Sequence, residues 1–271
     1  MGKLVIKAGQ TEKHYWTDLW RYRELFFILA WRDVAVRYKQ TVIGVAWAVI
    51  RPLLTMIIFS VIFGRIAKLP SNGVPYPLFV AAAMLPWQFF ANALTEASGS
   101  LVENEKLITK VYFPRLVVPA SSVIVSLIDF LISFVILSGL FVWYHVMPSW
   151  RLLALPGFVL LAFVAALGPG LIITALNVRY RDFRYAIPFI VQFGLYISPV
   201  GFSSAVVPGK WRLIYSLNPM VGVIDGFRWA ICGVNTIYWP GFAISMMLVV
   251  SLMVLGISFF RRTERNFADL I

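Results

Sequence analysis

Six stretches of the chain stay apolar for longer than a helix of a water-soluble protein needs. They run from about Val42 to Ile66, Tyr76 to Ala97, Leu116 to Val146, Leu152 to Leu176, Tyr185 to Val200 and Ile237 to Phe260. A bilayer core about 30 Å thick asks for about 20 such residues in helical form, so the pattern predicts six transmembrane helices. The fifth stretch is short, and "VQFGLYISPVGF" closes it with Gly194, Pro199 and Gly201. An interrupted segment of this kind breaks in the membrane only where protein or a water-filled cavity satisfies its backbone. No stretch repeats another at a fixed period and no low-complexity linker divides the chain. The expected fold is one all-α membrane domain.

Composition agrees with that pattern. Of 271 residues 60% are apolar and 13% charged, with a mean hydropathy of +0.81, which excludes a soluble domain with one buried core. The formal charge of +12 does not read as a nucleic-acid footprint, because the cations sit at the ends of the apolar stretches and form no stripe. It reads as topology. With six spans, one side holds Lys3, Lys7, Lys13, Arg21, Arg23, Arg32, Arg37, Lys39, Lys106, Lys110, Arg115, Arg179, Arg181, Arg184, Arg261, Arg262 and Arg265. The other holds Arg65, Lys68, Arg151, Lys210, Arg212 and Arg228. The excess of Lys and Arg places both termini in the cytoplasm. The N-terminal "MGKLVIKAGQTEKHYW" has no apolar core of signal-peptide length, so the first span is expected to direct insertion.

Before that span, "TDLWRYRELFFILAWRDVAVRYKQ" mixes Leu19, Tyr22, Leu25, Phe26, Leu29 and Trp31 with Arg21, Arg23, Arg32, Arg37 and Lys39. It is too charged to span and too aromatic to dissolve, so it is expected to lie along the membrane interface. Between the second and third stretches, "SGSLVENEKLITKVYFPRLVVP" offers a short helix over Asn104 to Val111. Glu103, Glu105, Lys106 and Lys110 lie there beside Leu107 and Ile108, a charged piece with a small apolar knob for a partner, or a solvated turn.

Signs of catalysis are weak. The chain has no P-loop, no Gly-rich dinucleotide loop and no metalloprotease His pair, and His14 and His145 fall on opposite sides of the expected membrane. The single cysteine, Cys232, excludes an intramolecular disulfide, and no Cys/His cluster has metal-ligand spacing. Glu96, Asp129 and Asp225 belong to different segments and share no motif.

Four pieces carry a family resemblance: "RDVAVRYKQTVIGVAWAVIRPL", "LITKVYFPRLVVP", "NVRYRDFRYAIPFIVQFGLYISPVGF" and "SLNPMVGVIDGFRWAICG". With them the chain resembles the permease subunits of type-2 ABC exporters that move O-antigen, capsular polysaccharide or teichoic acid. The resemblance implies a homodimer of six-span subunits in the bacterial inner membrane, each docked on a separate cytoplasmic ATPase, so two ATPase copies that hold ATP and Mg. This chain would need no cofactor of its own. The cargo it implies is a polyprenyl-pyrophosphate-linked polysaccharide, O-antigen foremost, passing along the dimer interface. Residues 1–41 become a cytoplasmic segment with an interface helix over Trp16 to Gln40, 42–260 the membrane domain and 261–271 a cytoplasmic tail. Glu103, Asn104, Glu105, Lys106, Leu107, Ile108 and Lys110, within Glu103 to Val111, become the coupling helix that meets the ATPase. The stretch "VPGKWRLIYSLNPMVGVIDGFRWAICG", with Asn218, Pro219, Asp225 and Arg228, becomes a pair of re-entrant helices that close the external exit. Related permeases for drugs or other lipids generally lack the "RYKQTVIG" and "KVYFPR" pieces, and a membrane glycosyltransferase would show grouped acids.

Arg51 lies nine residues past Val42, about 14 Å along a helix. That depth suits a snorkelling anchor. It also suits a guanidinium that, with Arg37 and Lys39 below it, attracts the pyrophosphate of the cargo through a two-pronged contact. Pro52 next to it removes a backbone donor and is expected to bend the span. Aromatics make up 16% of the chain. Most serve as interfacial or lipid-facing surface, while Trp47, Phe59, Phe193 and Tyr196 in the first and fifth spans are the candidates for a sugar pathway. Asp129, midway along the third span, is costly in lipid, and Ser126, Ser133 or a neighbouring helix are its expected partners. Asp225 and Arg228, three apart, share one helix face and are expected to pair.

Overall fold

The computed structural model describes residues 15–39, 42–147, 149–180, 182–233 and 237–267. Lys3, Lys7, Lys13, His14, Gln40 and Arg181 lie outside the described residues. The described chain is all helix and connection, without strands. Its N-terminal part forms α1 (Tyr15–Arg21) and α2 (Arg23–Lys39), so the expected single interface helix is interrupted at Tyr22. Then follow α3 (Val42–Phe59), continued by a π-helical turn over Ser60–Ile66, α4 (Tyr76–Glu103) and the six-residue α5 (Glu105–Lys110). The remaining helices are α6 (Val117–Trp143), α7 (Leu155–Arg179), α8 (Phe183–Ile197), α9 (Gly209–Tyr215), α10 (Pro219–Cys232) and α11 (Trp239–Thr263).

Five of these segments are long and apolar enough to cross a membrane: 49–66, Tyr76–Glu103, Val117–Trp143, Trp150–Arg179 and Trp239–Thr263. The fifth expected span, α8, has 15 residues and is shorter than a bilayer core requires. The second span does not stop at Ala97. It runs unbroken to Glu103, because the polar "SGSLVE" still contains helix formers and Ser98 and Ser100 bond back to carbonyls of their own helix.

Local chemistry sets the helix ends. Proline stands in the first turn of α4, α7, α10 and α11, where its missing N–H has no intrahelical partner to lose. Asn218 caps α10 by accepting from the Met220 N–H at 3.0 Å. Gly233, with φ of 70°, ends it in the left-handed conformation that glycine adopts without cost from a Cβ.

α4 is the centre of the bundle, packed against α6, α7 and α10, and α7 packs along α11. The α7–α11 approach rests on absent side chains. A Cβ on Gly168 would lie 2.8 Å from the Met253 backbone nitrogen, and one on Gly256 would collide with the Gly168 carbonyl. Close backbone contact of this kind supplies the dispersion that lipid-facing helices lack as a hydrophobic driving force. Thr174 and Asn177 of α7 donate across to the Ala97 and Ser98 carbonyls of α4 at 2.7 and 2.8 Å.

Contacts also sort the two ends of the bundle. At one end Arg261 of α11 lies over the Tyr15 ring at 4.5 Å, the Arg115 N–H donates to Glu264 at 2.7 Å, and the Tyr22 hydroxyl reaches the Tyr112 carbonyl at 3.4 Å. The start of the described chain, the α4–α6 connection and the end of α11 therefore meet. At the opposite end the Tyr76 hydroxyl donates to the Gly201 carbonyl at 2.6 Å and Arg151 donates to the Gly233 carbonyl.

Candidate functional site

Helices α3, α4, α6 and α8, with the last turn of α2, enclose a groove of about 770 Å³. Its polar lining comes in rows spaced four residues apart, a spacing that keeps side chains on one helix face. α3 presents Trp47, Arg51 and Thr55, α4 presents Gln88, Asn92 and Glu96, and α6 presents Asp129 and Ser133. Pro188, Val191, Gln192 and Leu195 of α8 form the facing wall. Among the described residues the side-chain amides of Gln88, Asn92 and Gln192 have no protein hydrogen-bond partner, and neither does the Arg51 guanidinium. Unpartnered amides at membrane depth demand water or a hydroxyl-rich ligand.

The charged lining next to α2 departs from expectation. Arg37 is not free for a cargo: it donates to Glu96 of α4 at 3.0 Å and lies 3.1 Å from Asp129 of α6. The latter contact has ion-pair distance without hydrogen-bond angles, leaving Asp129 Oδ2 held by charge alone. Tyr38 donates to the other oxygen of Asp129. Burial first, and the neighbouring carboxylate second, hold the Tyr38 phenol well above its ordinary pKa, so it stays a donor. Asp129 therefore finds its partners on α2 rather than at Ser126 or Ser133. A carboxylate whose side chain is only 14% exposed has to be paired, and the nearest cation wins over a hydroxyl.

The four aromatic candidates separate. Trp47 lines the groove and is 58% exposed. Phe59 is 7% exposed and packs against Phe63 with ring centroids 5.3 Å apart, so it belongs to the core and not to a pathway. Phe193 and Tyr196 are exposed but lie on the face of α8 next to its groove-lining row, with Phe193 against Phe189 at 4.3 Å. Lys39 is exposed at the end of α2, outside the groove lining.

The expected partner-facing helix is shorter than its sequence span and turned differently. α5 exposes Glu105, Lys106 and Lys110, with Glu103 exposed just before it, but Ile108 is 4% exposed and Leu107 half-buried. The apolar knob is used within the chain, because six residues cannot present both faces of a helix to a partner while staying attached to α4. Val111 and Tyr112, which follow, are the exposed apolar pair there. Asn104 joins α5 to α2 by accepting from Arg32 at 2.8 Å.

At the other end, Asp225 and Arg228 do not pair. Arg228 is 1% exposed, donates to the Phe202 and Val200 carbonyls at 2.7 and 2.8 Å, and lies 3.7 Å from the Phe79 ring centroid. Asp225 accepts from Ser204 at 2.5 Å. The carbonyls exposed where the chain turns after α8 outcompete the carboxylate, since each would otherwise be an unpaired buried acceptor. Asn218 ties the same turn by donating to Ser198 at 2.9 Å, and Pro219 starts α10. Sequence pattern did not find the amide rows of the groove, although polar residues four apart within an apolar span are their signal.

An all-helical, multi-pass membrane domain with a polar, partly charged groove between its spans is the build of a transporter. Comparison with known proteins gives the family: the description "ABC-2 type transporter" matches residues 24–232, and the chain belongs to that family. It is similar to the O-antigen export system permease protein RfbA of Klebsiella pneumoniae, 29% identical over 250 residues that cover 92% of this chain and 95% of the relative. RfbA of Myxococcus xanthus is 26% identical over 78% of this chain and 81% of its own length. The polysialic acid transport protein KpsM of Escherichia coli is 24% identical over 86% of this chain and 91% of its own.

Proposed function

We propose that this chain is the permease subunit of an ATP-driven exporter that carries a lipid-linked polysaccharide, O-antigen foremost, to the outer side of a bacterial inner membrane. The observation that carries the reading is the row of unpartnered amides beside a free guanidinium and an exposed Trp47, in a membrane domain whose relatives are named as O-antigen export permeases. Sugar hydroxyls are donors and acceptors for such amides, and the flat C–H face of a sugar ring suits an indole. Arg51, with Lys39 at the entrance, then receives the single anionic group, the pyrophosphate at the lipid end of the polymer. Arg37 is already engaged with two carboxylates and serves the entrance in another way.

In this reading the segments α3, α4, α6, α7, α8 and α11 make six crossings, with α8 completed by its neighbours, and both termini are cytoplasmic. The exposed apolar faces of α3 and α8 support a homodimer that closes the groove into a path. Two copies of a separate ATPase bind ATP and Mg, and meet the chain at Glu103 to Tyr112. Asn218, Pro219, Asp225 and Arg228 hold the external gate. The KpsM relatives, named for polysialic acid transport, favour a polymer of that kind as the second cargo reading.

The test is the location of the polymer in cells lacking the gene, read by a polymer-specific antibody on intact and permeabilised cells. Polymer trapped inside is the expected result. Polymer at the surface in normal amount overturns the reading, and polymer absent from both compartments while its biosynthetic genes are expressed points instead to synthesis.

A further inference from the structure

Helix α2 is fastened at two places to parts of the molecule that do different things. At Arg32 it donates to Asn104, the residue that joins α4 to α5, at 2.8 Å. Five residues further on, about 7.5 Å along the helix, Arg37 bridges Glu96 and Asp129 on two different spans while Tyr38 donates to Asp129. The second fastening is part of the groove lining, at the last turn of α2. Two carboxylates face one guanidinium there, so the cluster repels an arriving anion and cargo phosphate is a poor agent for releasing it. The two attachments also differ in strength. Arg32 meets the Asn104 amide from an exposed position and shares its charge with Asp33 at 2.6 Å, whereas the Asp129 carboxylate is largely removed from water, where an ion pair is less screened.

We propose that Glu96 and Asp129 are positioning residues of the transport step. By holding Arg37 and Tyr38 they fix the last turn of α2 against α4 and α6 at the groove, and the Arg32–Asn104 bond lets movement of α5 pull that turn away. This rests on the reading that α5 and its flanks meet the ATPase. The side chains of Glu96 and Asp129 touch no cargo in this scheme; they act through Arg37, and they keep the groove shut while the ATPase is at rest.

The test uses membranes of cells expressing the chain with its ATPase, scored as ATP hydrolysed per polymer exported. Arg37→Gln, Asp129→Asn and the double variant each raise that ratio about fivefold, the lower end of usual coupling between sites. The double variant falls clearly short of the product of the two single effects, because both singles remove the shared Arg37–Asp129 contact. The exchanged pair Arg37→Asp with Asp129→Arg recovers part of the coupling, which a merely structural role would not predict. Tyr38→Phe, which removes one bond and no charge, gives a smaller rise. A wild-type ratio in Asp129→Asn, or losses that add in the double variant, overturns the proposal. Should Asp129→Asn fail to accumulate, Glu96→Gln at the more exposed rim gives the same readout, and its wild-type ratio also overturns it. Co-purification of the ATPase separates the two readings: an ATPase that does not bind the wild-type chain removes the basis for both, while normal binding with unchanged ratios sinks this one alone.

Discussion

The bundle has two halves that are built differently. In the half made by α4, α7, α10 and α11, helices touch through glycine and small residues, and polar groups are satisfied by backbone carbonyls. In the half made by α2, α3 and α8, side faces are exposed, and α2 is joined to α4 and α6 by ion pairs and a phenol hydrogen bond. Burial within the chain makes the contrast plain: 72% of the most apolar stretch of α4 is buried, against 11% of residues 49–66. The arginines follow the same division. Arg228 is locked by carbonyls of a fixed turn, whereas Arg37 is held by side-chain carboxylates that can reorient. The lesson is that one half supplies a frame and the other the parts that can shift against it.

That contrast can be broken from its rigid side first. Gly256→Leu drives a side chain into the Gly168 backbone and is expected to cost about 3 kcal/mol or more, read as loss of the monodisperse species on gel filtration in detergent. A well-behaved protein would mean that α7 and α11 are free to separate. Arg228→Gln leaves the Val200 and Phe202 carbonyls short of donors at roughly 1–3 kcal/mol each. Its thermal midpoint in detergent falls accordingly, and Arg228→Lys, lacking the planar fork, restores only part. At the small end of the stability scale, Arg51→Ala stays within about 0.5 kcal/mol of the parent because its guanidinium has no protein partner. It still lowers export about tenfold, the worth of a single charge-assisted hydrogen bond to the cargo. Export at the parental rate with normal protein amount would remove Arg51 from the pathway.

Much of the frame was legible in the sequence because apolar length alone reports it: five of the six expected spans are helices of membrane-crossing length at close to their expected limits. The short α8 was equally visible through Gly194, Pro199 and Gly201. What sequence spacing could not deliver is pairing across long separations. Tyr38 and Asp129 lie 91 residues apart, and nothing local distinguishes Arg37 as a structural cation from Arg51 as a free one. Local spacing even misled at Asp225 and Arg228, where a shared helix face suggested a pair and the carbonyls of a distant turn took the arginine. Phe59 failed for a related reason: periodicity says that a face is apolar, not whether lipid, core or groove lies opposite it.

The groove lining has an electrical consequence. Arg37, Arg51, Glu96 and Asp129 sum to zero, so displacing these walls together within the membrane field does little net electrical work. An anionic headgroup that leaves a negatively polarised cytoplasm through the same groove gains about 2.3 kcal/mol per charge for each 100 mV. On the proposed reading the membrane potential acts on the passenger and leaves the gate indifferent to voltage.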